Sequence, residues 1–294
     1  MKQGLDHSDL LKRVRKIEIK AKGLSEQVFA GQYHSAFRGR GMAFSEVRGY
    51  QIGDDVRDID WNVTARYAHP FVKVFHEERE LSVMLLIDLS GSIDWGTQRK
   101  SKLELVVELT ATLAFSAIQN NDKIGAIFFT DSIELFVPPR SGRKHILYIV
   151  RELLTFTPRG RDTNLNVPLN YLMRIIKKRC TAFVISDFLH SREDYQTSLS
   201  LAARKHDLVA LRVSDPQESN LPLLGLMQLY DAETGTSTWV DACHRRLRLH
   251  YAQTYEEQSA QCQDYCLRAG VQLANLSTGA DFVPELIRLF RKRI

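Results

Sequence analysis

Hydrophobic residues in this chain fall into short unbroken runs, separated by longer stripes with helical spacing. The central run is Val83-Met84-Leu85-Leu86-Ile87. It is too short for a helix and suits a strand buried on both faces. Further strands are expected over 124–129, 182–185, 208–213 and 271–276. Between the central run and the first of these, apolar positions at Leu105, Leu109, Leu113 and Ile118 predict a helix over 102–119 that packs on a sheet. Further helices are expected over 144–156, 167–178, 192–205, 243–269 and 282–293. Residues 133–137 read as a short strand ended by Pro138-Pro139, as at a sheet edge. This alternation predicts an α/β fold with a Rossmann-like, doubly wound, mostly parallel sheet. The rhythm breaks at about 222–240, where two extended runs flank Asp231-Ala232-Glu233-Thr234-Gly235, a hairpin insertion.

The first 78 residues differ in texture and form an expected N-terminal extension, partly helical and partly irregular, ahead of an α/β domain over 79–294. Ser8 and Asp9 can cap a helix through Leu10, Leu11, Val14 and Ile17, with Gly23 as its stop. Lys12, Arg13, Arg15, Lys16 and Lys20 read as its solvated face. From Phe37 the chain is punctuated by glycine, and through residue 66 acids and arginines alternate with Tyr50, Ile59 and Trp61. Buried aromatics held by Asp–Arg pairs would make this segment a brace against the main sheet; a docking surface is the alternative. A strand is expected at 72–75.

Composition changes this picture little. With 44% hydrophobic and 26% charged residues among 294, the chain is ordinary for a globular protein. A net charge of +5 is mild, and the basic clusters 177–179, 245–248 and 291–293 are scattered, so nucleic acid is not an expected partner. No stretch approaches the ~20 uncharged apolar residues of a membrane span. Residues 105–118 come nearest and contain Glu108, and the N-terminus lacks the apolar core of a signal peptide. The four cysteines show no disulfide framework, and a reduced, cytoplasmic location is the expectation. Cys262 and Cys266 lie four apart on one predicted helix, a spacing compatible with zinc but more typical of small buried hydrophobes.

The candidate chemistry sits where the central run ends. Asp88, Ser90 and Ser92 place three hard oxygen ligands at alternate positions, with Gly91 letting the backbone turn. In a parallel α/β sheet the loops at the carboxyl ends of strands bind ligands. One carboxylate and two hydroxyls supply part of the octahedron that Mg²⁺ prefers. Two later loops on the same side of the predicted sheet add the Thr163 hydroxyl and the Asp187 carboxylate, within Gly160-x-x-Thr163 and Ser186-Asp187.

Asp88-x-Ser90-x-Ser92, Thr163 and Asp187, in that order, resemble the metal-ion-dependent adhesion site of von Willebrand factor type A (vWA) domains. The resemblance implies Mg²⁺ or Mn²⁺ held by Ser90, Ser92 and Thr163, with Asp88 and Asp187 acting largely through water or hydrogen bonds. It also implies one open position for an acidic side chain of a client protein. This chain departs from the best-known form in having Phe188, not glycine, after Asp187, and in the extra carboxylate of Asp162. Upstream, Arg48-x-Tyr50, Gly53-Asp54-Asp55-x-Arg57-x-Ile59-Asp60-Trp61 and Ala65-Arg66 resemble the signature of domain-of-unknown-function family fifty-eight, vWA-like proteins associated with MoxR-type AAA-plus ATPases. Members often carry N-terminal membrane helices; none is predicted here, so a soluble variant is expected. The resemblance implies a non-enzymatic adaptor that works with a MoxR-type ATPase in chaperone-like assembly or maturation of protein complexes.

A Mg²⁺-dependent phosphoryl-transfer or hydrolytic enzyme using the same residues is the alternative. Against it, the sequence has no glycine-rich phosphate loop with its lysine and no Gly-x-Ser-x-Gly elbow. The three site loops contain no histidine to act as base, His190 being the nearest.

Overall fold

The computed structural model describes residues 7–29, 43–67, 69–76, 81–94, 96, 100–189, 194–230 and 235–292. In chain order the first elements are α1 (His7–Phe29), β1 (Ala43–Gly49), α2 (Trp61–Tyr67), β2 (Phe71–His76) and β3 (Ser82–Asp88). Then come α3 (Lys102–Gln119), β4 (Lys123–Phe129), β5 (Ile133–Arg140), α4 (Arg143–Thr155) and α5 (Asn166–Ile175). The chain continues with β6 (Thr181–Ser186), α6 (Gln196–Lys205), β7 (Asp207–Ser214), β8 (Leu226–Tyr230) and β9 (Ser237–Asp241). It closes with α7 (Arg245–Ala269), β10 (Gln272–Ser277) and α8 (Val283–Arg291). These divide into two compact units, one holding α1 and the chain from Leu81 onward, the other spanning residues 38–80.

The larger unit is a six-stranded sheet in the order β10-β7-β6-β3-β4-β5, parallel except for β5. Strand β3 lies in its middle, bonded to β4 and β6, and Met84 to Ile87 are wholly buried. The two-residue side-chain period splits the strand between two cores. Val83, Leu85 and Ile87 pack with Leu105, Leu109 and Leu113 of α3, Ile149 of α4 and Phe290 of α8. Met84 and Leu86 pack with Leu169 and Leu172 of α5, Leu199 of α6 and Cys262 and Cys266 of α7. The expected doubly wound, mostly parallel sheet is therefore present, with the order 3-2-1-4-5-6 when its strands are counted along the chain. Its order reverses between β3 and β6.

Helix α1 packs with this unit. Ala21 and Val28 join the α3-side core. The buried Glu18 accepts two hydrogen bonds from Arg143, at 2.6 and 2.9 Å. Gly23 does not end the helix, which runs on to Phe29. The apolar stripe continues through Leu24 and Val28 beyond it, and packing of those side chains outweighs the ~1 kcal/mol propensity cost of one glycine. Nor do Pro138 and Pro139 end β5, which extends to Arg140. The pairing register shifts between Ile124 and Ala126 opposite them, and an edge strand with a bulge tolerates missing N–H groups.

In the smaller unit β1 and β2 pair antiparallel, and Arg48 forms a two-pronged salt bridge to Asp54 with both bonds at 2.8 Å. The expected Arg–Asp pairing is thus present there. Trp61, expected to bury itself, is 68% exposed at the start of α2. Strands β8 and β9 form the expected antiparallel hairpin. Its tip at 231–234, like residues 37–41 and His190, lies outside the described residues. Cys262 and Cys266 are free and buried, as small hydrophobes are. Among the described residues no helix is long and apolar enough to cross a membrane.

Two glycines separate space from conformation. A Cβ on Gly125 in β4 would lie 2.7 Å from Val137 O, 2.8 Å from Met84 Sδ and 2.9 Å from Pro139 N. Two of those neighbours are backbone, so Gly125→Ala should lower stability by about 1–3 kcal/mol. A Cβ on Gly23 meets nothing within 4 Å, so Gly23→Ala should raise stability by about 0.5–1 kcal/mol. Urea unfolding midpoints of the two variants check both signs.

Candidate metal centre

Strand β3 ends on Asp88 and β6 ends just before Asp187, so both carboxylates stand at carboxyl ends of strands beside the point where strand order reverses. That crevice is the general ligand site of open α/β sheets. Both side chains are buried, Asp88 at 3% exposure. Ser90 N–H donates to Asp88 Oδ1 at 2.9 Å, and the Ser186 hydroxyl donates to Asp88 Oδ2 at 2.6 Å. The Ser186 oxygen in turn accepts the Phe188 N–H at 3.0 Å. A short 3-10 turn over Gly91–Asp94 brings Ser92 back beside Ser90, with 3.3 Å between the hydroxyl oxygens. Ser92 also hydrogen-bonds Asp187, whose Oδ1 accepts the Leu189 N–H at 3.1 Å.

The third loop joins through the backbone, because Gly91 N–H donates to Arg161 O at 2.9 Å. Gly160 starts this loop tight against β4, where a Cβ would collide with the side chains of Thr130 and Asp131. Glu134 fixes it further by accepting the N–H groups of Arg159 and Gly160 at 3.0 and 2.8 Å. Thr163 is fully buried, its N–H donates to Asp162 Oδ1 at 3.0 Å, and its hydroxyl has no hydrogen-bond partner. Among the described residues the buried hydroxyls of Thr110, Ser116 and Thr163 are without a partner, and of these three only Thr163 lies on a loop tied to the serine turn. The structure thus links Asp88, Ser90, Ser92 and Asp187 directly, and places the loop of Thr163 against the serine turn.

Charge in the site is finely divided. Burial, and then the nearby Asp187 charge, push the Asp88 pKa up to about 6. Burial acts the same way on Asp187, but the Lys102 ammonium outweighs it, helped by the Ser92 and Leu189 hydrogen bonds, and holds that carboxyl below its usual range. Lys102 Nζ lies 3.1 Å from Asp187 Oδ2 and also pairs with Glu218 Oε1. Arg212 Nε donates to the Asp187 carbonyl at 3.2 Å, and its guanidinium reaches Ser259 of α7.

Lys102, Glu218 and Arg212 were not among the residues singled out from sequence, although signals for two of them exist. Lys102 continues the stripe Leu105–Leu109–Leu113 backwards by three residues, onto the buried face of α3. Arg212 interrupts an otherwise apolar strand buried on both sides. The substitution of Phe188 for glycine also has a structural cost. Its φ of 57° is left-handed, a conformation that costs a bulky residue about 1–2 kcal/mol. The ring is buried and packs on Tyr195, with 6.3 Å between centroids.

The donor set suits a hard dication. Two cis ligands of octahedral Mg²⁺ at about 2.1 Å lie roughly 3 Å apart, close to the 3.3 Å between Ser90 Oγ and Ser92 Oγ. Among the described residues no three His, Cys, Asp or Glu side chains gather as a metal site.

Residues 46–261 match the family described as "Protein of unknown function DUF58". The chain belongs to this family. A DUF58 relative in sequence, the uncharacterized protein Rv1480 of Mycobacterium tuberculosis, is 31% identical over 291 residues, 98% of this chain and 91% of that protein. Among solved structures, the conserved hypothetical protein BatB of Bacteroides thetaiotaomicron is similar with TM-score 0.48 and 17% identity, over 72% of this chain and 98% of that one. The SpRpn10 VWA domain is similar with TM-score 0.39 and 11% identity, over 71% of this chain and 94% of that domain.

The Ser186 hydroxyl is the most exposed test of this DUF58 site's architecture. Ser186→Ala leaves an Asp88 oxygen and the Phe188 N–H unpaired in a buried place, and should cost about 1–3 kcal/mol of stability. Ser92→Ala, at a partly exposed position, should cost less than about 1 kcal/mol. Chemical denaturation of the two variants side by side checks the difference.

Proposed function

We propose that this protein is a non-enzymatic, metal-dependent protein-binding adaptor whose metal site lies at the ends of β3 and β6. Ser90, Ser92 and Thr163 would hold Mg²⁺ or Mn²⁺ through their hydroxyls. Asp88 and Asp187, fixed by Ser186, Ser90 and Leu189, would balance its charge through water or hydrogen bonds. When bound, the cation supplies a Lewis-acidic position that an Asp or Glu side chain of a client can complete. The observation that carries this reading is the buried, unpartnered Thr163 hydroxyl on a loop tied to the serine turn.

The size of the crevice supports a protein ligand over a small-molecule substrate. The cavity shared by Asp88, Ser92 and Asp187 measures about 10 Å³. That is roughly the space of one water, whereas pockets for organic ligands measure about 300–1,000 Å³. An organic substrate has no room within it. Action together with a MoxR-type AAA-plus ATPase, in assembly or maturation of other complexes, rests on the family resemblance of residues 48–66.

Affinity capture with the full chain as bait tests the proposal. An AAA-plus ATPase should be recovered in Mg²⁺ and at least tenfold less in chelator, and Asp88→Ala should erase that difference. Recovery that ignores both chelator and the substitution would remove the metal from the mechanism. Phosphoester turnover lost in the same variant would make the chain an enzyme.

A further inference from the structure

Lys102 is the largest fully buried side chain of the protein's described residues, at 2% exposure, and it ends in a charge. Its Nζ is paired with two carboxylates, Asp187 Oδ2 at 3.1 Å and Glu218 Oε1. It faces the same small cavity as Asp88, Ser92 and Asp187. We propose that the Lys102 ammonium is a built-in competitor of the divalent cation, neutralising Asp187 in the metal-free protein and relying on Glu218 when metal is held. This inference rests on the metal-site reading above and adds the residue that sets the site's affinity.

The charge count gives the reason. Asp88 and Asp187 together would balance one dication, but Asp187 already faces an ammonium 3.1 Å away. A second cation beside the first is repelled by it, and a cavity of about 10 Å³ leaves little water to screen the pair. An ammonium cannot be left buried without an anionic partner, so losing Asp187 to a metal requires another carboxylate already in place.

Glu218 is that carboxylate, and the chain holds it rigidly. Its Oε2 accepts the Asp215 N–H at 2.9 Å, while Oε1 takes Lys102. Asp215 caps the same short turn by accepting the Gln217 N–H at 3.0 Å, and its other oxygen accepts the Thr278 hydroxyl at 2.7 Å. Glu218 therefore keeps its place beside Lys102 whether or not Asp187 is engaged elsewhere. A lysine serving only to glue the fold together would need one carboxylate; this one has a second, anchored outside the three metal-site loops.

Opposite effects of two substitutions test the idea. Full-length protein freed of metal is titrated with Mn²⁺, following free Mn²⁺ by electron paramagnetic resonance, and with Mg²⁺ by calorimetry. Lys102→Met, which keeps the stem and removes the charge, should bind both ions at least tenfold more tightly. It should also melt lower without metal and gain a larger rise in Tm from Mg²⁺ than the parent. Glu218→Gln, which leaves the ammonium less compensated, should bind at least threefold more weakly. If K102M binds metal equally or more weakly, the lysine is structural and the competition is refuted; should K102M fail to fold, an unchanged affinity in E218Q refutes it. Asp88→Ala separates the two readings. Metal binding by the parent that D88A loses and K102M leaves unchanged would overturn only the competition. Absence of binding in the parent and K102M alike would overturn the metal site and the competition with it.

Discussion

A buried carboxylate is the constraint around which this molecule is arranged. Asp88 sits at the end of a strand buried on both faces, at 3% exposure, and fixed dipoles of the chain stand in for most of its solvation. The Ser186 hydroxyl, from the last residue of β6, and the Ser90 N–H, from the loop leaving β3, occupy its two oxygens. Those bonds hold the β3 and β6 loops in mutual register, so the serine turn cannot shift without disturbing the end of β6. Burying charge is ordinarily unfavourable unless it is fully paired.

The same principle extends outward in layers. Asp187 needs Lys102, Lys102 needs Glu218, and Glu218 is bound into the turn after β7. Arg212 carries a parallel connection from the Asp187 carbonyl to Ser259 on α7. Each ion is dry enough that removing its partner would strand it, and so the polar groups behave as one network rather than as separate pairs. The apolar cores on the two sides of the sheet supply cohesion; this network supplies the shape of the rim.

The fold was legible because strand and helix periods are strong signals when strands are buried on both faces. The run Val83–Ile87 could be read as a central strand from composition alone, and α3 from the spacing of Leu105, Leu109 and Leu113. What failed locally was punctuation. Gly23 and the Pro138-Pro139 pair read as stops in the sequence, yet apolar contacts past Gly23 and a bulge beside the prolines carry the elements through. Trp61 was expected inside because it is aromatic, but no periodic pattern of its own placed it there. At the site, the oxygen-bearing residues announced themselves by spacing after strand ends. Lys102 showed only as a polar continuation of the α3 stripe, and Glu218 and the left-handed backbone of Phe188 did not show at all, since long-range ion pairs and single dihedrals leave no local pattern in sequence.

The outermost strand β5 has a further implication for how this protein meets others. Open sheet edges invite neighbouring chains to extend the ladder, a route to both peptide capture and aggregation. With two adjacent imides and a broken register facing Gly125, that margin offers a poor template for another strand. Recruitment by β-augmentation is thereby disfavoured at this border, which leaves contacts mediated by side chains and loops as the way in.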